Sequence, residues 1–126
     1  MQKKQGKIIT PANRTPWPHE ARVARILAAA GHTVEFLPES NLHSPDILLD
    51  GVRYEIKSPL TNKADKLERN IKRGLKQSKN IIFDTSRIQN MRDENIKRFL
   101  IKKAKEQKQI GRLKMIDRRG TIVDIK

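Results

Sequence analysis

Ser44–Pro59 reads SPDILLDGVRYEIKSP. Two short apolar runs meet at Asp50-Gly51, a dipeptide suited to the two-residue hairpin turn whose twist matches its strands. The turn sets a register: Leu49 opposite Val52, Leu48 opposite Arg53, Ile47 opposite Tyr54, Asp46 opposite Glu55. Side chains alternate between faces. Ile47, Leu49, Val52, Tyr54 and Ile56 therefore share one face, while Asp46, Leu48, Arg53, Glu55 and Lys57 share the other. The first is a core face. The second sets two carboxylates against each other with Cβ atoms about 4.5–5.5 Å apart, and like charges placed so destabilise a sheet. A divalent cation would turn that repulsion into coordination, because hard cations take carboxylate oxygens.

Asp46 and Glu55 are thus the candidate metal ligands, and the Ile56 carbonyl could add a third. Mg²⁺ or Mn²⁺ is the expected cation, with Zn²⁺ as an alternative. A cation held there polarises a phosphoryl oxygen and lowers the pKa of a bound water. Lys57, two residues beyond Glu55, is placed to orient the water or stabilise charge on the phosphate. The competing reading is a surface ion network that needs no function.

Around the hairpin the elements follow in order. WPHEARVARILAAAGHT, from Trp17, reads as a first helix with Pro18 at its first position and Gly31 at its end. Val23, Leu27 and Ala30 form its stripe, with Ala24 and Ile26 beside it. Glu20 lies three and seven residues before Val23 and Leu27, so it shares the core side and could reach the cation through water. Acids also favour helix N-termini for dipole reasons alone. TVEFLP is a short strand and ESNLHSP a polar loop. NKADKLERNIKRGLKQSKN is a second helix on Leu67, Ile71 and Leu75, weakened by Gly74. NIIFD is a buried strand. DENIKRFLIKKAKEQKQ is a third helix, and LKMIDRRGTIVDI a closing hairpin turning near Arg119-Gly120. Residues 1–16 read as a loose basic arm in which KIIT pairs at a sheet edge. The expectation is one mixed α/β domain over residues 1–126.

The chain has 126 residues, 36% of them apolar, which suits one modest core. It has no cysteine, so disulfides and cysteine zinc sites are excluded. His19, His32 and His43 show no zinc-ligand spacing. No segment is long and apolar enough for a membrane span, so no membrane insertion by this domain is expected. Lys and Arg total 28 against 14 acids, a net charge of +14, which points to a polyanion such as nucleic acid. Lys66, Arg69, Lys72, Arg73 and Lys76 on the second helix outnumber the acids able to pair at i+4, only Asp65–Arg69 and Glu68–Lys72. They are candidate phosphate contacts that carry no sequence information. Arg53, on the Glu55 face, is a candidate for holding the scissile phosphate. His19 and His43 flank the acids and could move protons. Trp17 could stack on a base; as the only tryptophan, placed before a helix, it is expected to plug the core.

Pro45-Asp46, a hairpin, and then Glu55-Ile56-Lys57 resemble the pattern of the PD-(D/E)XK nuclease superfamily. Its αβββαβ core is similar to the order read over about residues 17–84, here with an extra C-terminal helix and β-hairpin. HEARVARILAAAGHTVEFLPES, SPDILLDGVRYEIKSP and QSKNIIFD further resemble the C-terminal tRNA-nuclease toxin domain of contact-dependent growth inhibition proteins, over roughly residues 18–84. The resemblance implies a metal-dependent endonuclease cleaving tRNA and neutralised by a cognate immunity protein. It also implies export as the C-terminus of a larger surface protein and action in the cytoplasm of a target bacterium. It carries catalytic roles to Glu20, Asp46, Glu55 and Lys57, and places Gln77 at the site, where the residue alone reads as a solvent-facing polar. The alternatives are a DNA nuclease of the same superfamily from a mobile element and a non-catalytic basic RNA-binding module.

Overall fold

The computed structural model describes residues 5–38 and 46–126; His43 and Pro45 lie outside the described residues. Seven strands form one sheet in the order β1-β2-β3-β4-β5-β6-β7. They are β1 (Ile8–Ile9), β2 (Val34–Phe36), β3 (Ile47–Leu49), β4 (Val52–Lys57), β5 (Asn80–Asp84), β6 (Arg112–Ile116) and β7 (Ile122–Asp124). The helices are α1 (Pro18–Ala29), α2 (Ala64–Leu75) and α3 (Asp93–Glu106). β2-β3-β4 and β6-β7 pair antiparallel, while β1-β2, β4-β5 and β5-β6 are parallel. The last hairpin therefore extends the same sheet.

The hairpin register is the one its turn dictates: Ile47 pairs with Tyr54, Leu48 with Arg53, and Leu49 with Val52. Asp50 and Gly51 both have positive φ, as that turn requires. Ile47, Leu49, Tyr54 and Ile56 are buried in a cluster with Val23, Ala24 and Leu27 of α1. Ala28, and not Ala30, completes the buried stripe of α1. Gly31, at φ 100°, ends that helix. Its N–H reaches the Ala28 carbonyl, and the His32 N–H reaches that of Leu27.

A second cluster covers the opposite sheet face, where Leu67, Ile71, Ile96 and Leu100 of α2 and α3 pack on Ile81, Phe83, Leu113 and Met115. The apolar content expected to suit one modest core is thus divided over both sheet faces. Parallel strands buried on both sides explain the unbroken apolar run of β5.

The arm is not loose over its described residues. β1 pairs in parallel with β2, as the edge reading of KIIT expected, and the Gly6 N–H donates to the Ala28 carbonyl. Trp17 does not plug the core; it is 67% exposed. No helix among the described residues is long and apolar enough to cross a membrane.

Candidate active site

β3 begins at Ile47, and Asp46 lies one residue before it. There the carboxylate turns onto the neighbouring strand, where Asp46 Oδ2 accepts the Ile56 N–H at 3.0 Å. N–H and carbonyl leave an antiparallel strand residue on the same edge, so the Ile56 carbonyl also emerges toward Asp46. Glu55, next along β4, is buried at 6% exposure. Its Oε2 is 3.6 Å from Lys57 Nζ. Its Oε1 is buried with no hydrogen-bond partner among the described residues. Burial first, and the Asp46 carboxylate second, push the Glu55 carboxyl up to about 8, against the opposing pull of Lys57. The two acids meet as the register dictates, and a proton on Glu55 relieves the repulsion.

Lys57 has its stem pressed against α2. A Cβ on Gly74 would come within 3.3 Å of Lys57 Cε and of Ile81 Cδ1. The glycine that weakens α2 therefore gives the lysine room to lie beneath the helix.

Glu20 is buried on the core side of α1, as its spacing predicts. Its oxygens are taken, however: Oε1 accepts the Trp17 N–H at 2.9 Å, and Oε2 pairs with Arg14 Nη2 at 3.0 Å. The same Arg14 nitrogen is 3.7 Å from Asp46 Oδ1, and Nη1 donates to the Leu37 carbonyl at 2.8 Å. The guanidinium also lies over the Phe36 ring at 5.4 Å. Among the described residues no group of three acids or histidines is gathered tightly enough to hold a metal ion. Glu20 thus reaches the acid pair through Arg14.

Sequence reasoning missed Arg14, one base among 28. It also missed a neighbouring node. Asp84, at the end of β5, is fully buried. Its oxygens accept from Arg22 Nη1 at 3.0 Å, Ser58 Oγ at 2.9 Å, and the Ser86 N–H and Oγ at 3.0 Å each. Arg87 reaches the Ser58 carbonyl and His19 Nδ1, both at 3.3 Å. Ser58 adjoins Lys57, so the node braces the end of β4.

The candidate phosphate contacts divide. Arg53 and the α2 bases Lys66, Arg69, Lys72, Arg73 and Lys76 are exposed. Arg69 pairs with Asp65 at 3.6 Å and Lys72 with Glu68 at 3.8 Å, the two pairs their spacing allows. Among the described residues Lys66, Arg73 and Lys76 have no acid partner. Gln77 lies just past α2, half-buried, with its N–H on the Gly74 carbonyl.

Residues 43–122 match the family model of the contact-dependent growth inhibition CdiA C-terminal domain. The matched segment holds Asp46, Glu55, Lys57 and Asp84 but begins after Glu20. It runs on through α3 and into β7, where the sequence resemblance was expected to fade. The fold is similar to that of a chain from a CdiA-CT/CdiI toxin and immunity complex of Burkholderia pseudomallei, at 19% identity and a TM-score of 0.71, covering 96% of this chain and 99% of that one. No curated protein matches in sequence.

Proposed function

The chain belongs to the contact-dependent growth inhibition CdiA C-terminal domain family, and from that premise we propose that it is a toxin acting as a metal-dependent endonuclease on RNA. tRNA is the proposed substrate and the PD-(D/E)XK mechanism the proposed chemistry. The observation that carries the reading is the Asp46–Glu55 pair, in which the half-buried Asp46 faces a buried Glu55 that has, among the described residues, one oxygen unpartnered and a lysine beside the other. A stability-driven sequence would not bury an acid with an orphaned oxygen.

The residues present fit a divalent cation. Asp46 and Glu55 supply hard oxygens, and the Ile56 carbonyl lies on the same edge. With two carboxylates and no imidazole or thiolate in the set, Mg²⁺ or Mn²⁺ is favoured over Zn²⁺. When bound, the cation would polarise the scissile phosphate and acidify a water. Glu55 would hold the cation as a carboxylate, its proton released to solvent. Lys57, fixed under α2, donates toward charge growing on the phosphate. Arg14 holds Glu20 and orients Asp46. Arg53, Lys66, Arg73 and Lys76 take flanking phosphates, which makes binding salt-sensitive.

In this reading the domain is carried at the end of a larger surface protein and acts in the cytoplasm of a target bacterium. The producing cell is protected by a cognate immunity protein. An immunity protein is present in the complex to which the fold is similar.

The test is incubation with total tRNA and, separately, duplex DNA, with Mg²⁺, Mn²⁺, Zn²⁺ or EDTA, beside Asp46→Ala and Glu55→Ala. Discrete tRNA fragments that vanish with EDTA and in both variants are expected. Cleavage of DNA alone would move the substrate to DNA. Intact tRNA and DNA under every metal, with salt-dependent binding unchanged in the variants, would leave only a binding module.

A further inference from the structure

Trp17 is the only tryptophan of the chain, and its side chain is 67% exposed. It neither fills the core nor caps the helix through its side chain. Its root is nonetheless fixed. Pro16 and Pro18 flank it, and the following proline restricts it to an extended backbone, found at φ −62° and ψ 153°. Its N–H donates to Glu20 Oε1 at 2.9 Å, and its carbonyl accepts the Ala21 N–H at 2.9 Å. Glu20 in turn pairs with Arg14, which approaches Asp46 at 3.7 Å. A large flat ring is thus held in solvent on a rigid base three links from the acid pair. Such a ring can bind with little ordering cost, because only its two side-chain torsions remain free.

We infer that Trp17 is a stacking platform for one unpaired nucleobase beside the scissile phosphate. The inference rests on the nuclease reading and narrows its substrate. A base offers its face to a protein ring only when it has left the helical stack, so the ligand is a single-stranded or looped-out nucleotide, not a duplex. The surrounding charge suits this, since the net +14 draws the backbone in while the ring takes the base. Leu60, 66% exposed and three residues beyond Lys57, is a second exposed apolar side chain close to the site in sequence.

The sole tryptophan makes the test direct. In EDTA, to prevent cleavage, the full chain is titrated with a short end-labelled RNA strand and with the same strand in a duplex. Label anisotropy and tryptophan emission are read together. Quenching by the single strand, and little by the duplex, is expected. By anisotropy, Trp17→Ala should weaken single-strand binding about 5- to 150-fold and duplex binding less than about twofold, with Trp17→Phe in between. Every backbone bond at position 17 survives these substitutions, and circular dichroism checks the fold. Binding seen by anisotropy with unchanged emission would overturn the platform and leave the nuclease reading standing. Equal quenching by the duplex would overturn the choice of unpaired base. Undiminished binding by Trp17→Ala would also overturn the platform and leave the ring to a protein partner. No binding to either form would overturn the nuclease reading with it.

Discussion

Two acids lie buried on neighbouring strands and are treated in opposite ways. Asp84, at the end of β5, receives four hydrogen bonds, one from a guanidinium, and no oxygen is left over. Glu55, on β4, has one oxygen without a partner among the described residues and the other 3.6 Å from a lysine, and a second carboxylate faces it. The first arrangement offsets the cost of burying charge; the second does not. Asp84 therefore reads as a brace, and Glu55 as a group held ready for something the folded chain does not itself supply.

The comparison breaks most clearly in activity. Glu55→Gln keeps the shape and removes the charge that coordination needs. Metal-dependent cleavage should fall about 10³-fold, the scale of a lost charge-stabilising group, with the fold intact by circular dichroism. Residual cleavage within a few fold of the unaltered chain would remove Glu55 from the site.

The next effect is on stability and runs the other way. Asp84→Ala leaves Arg22, Ser58 and Ser86 without their shared acceptor and should cost about 3–4 kcal/mol in urea unfolding. Glu55→Gln should cost nothing. Equal losses would make the two acids alike and undo the contrast.

A smaller effect lies in pH. The Glu55 carboxyl is raised to about 8 by burial and by Asp46, against about 4.3 in an unfolded chain. Between those values the folded state keeps a proton the unfolded state has released. This group therefore subtracts stability as pH rises, and the subtraction is complete above about 8. In EDTA, the melting temperature of Glu55→Gln should gain on that of the unaltered chain from pH 5 to pH 9, by the equivalent of about 1–3 kcal/mol. Saturating Mg²⁺ should close the gap by binding the unaltered chain. A gap that stays constant across this range would show that Glu55 carries no held proton.

The two acids also differed in how legible they were. The Asp46–Glu55 meeting followed from a turn dipeptide and strand alternation, both local rules, and the register formed as those rules require. Glu20 was placed on the correct helix side by the same kind of argument. Its partner was out of reach, because Arg14 arrives from an arm whose path is set by pairing at the sheet edge. Asp84 closes an apolar run and carries no periodic signal. Its donors come from α1, the end of β4 and the next residue but one, and only the folded chain brings them together. Trp17 was misplaced because size and position before a helix favour the core on average, whereas here two prolines and a helix-capping glutamate hold its root at the surface.

The smallest expected effect concerns Gly74, which ties the local and non-local parts of the site. Alanine is better than glycine in a helix interior by about 1 kcal/mol, so on propensity alone Gly74→Ala stabilises. The added Cβ would lie 3.3 Å from Lys57 Cε and from Ile81 Cδ1. The lysine stem is the softer neighbour and would yield, carrying its amine away from Glu55. Thermal melts should therefore change by less than about 1 kcal/mol, while cleavage falls about 2- to 10-fold, less than the roughly 10²-fold that a full ångström of misplacement can cost. A stabilised variant with undiminished cleavage would mean that the lysine's position under α2 is packing alone. Glu55 would then be the one member of the β4 pair whose placement matters to the chemistry.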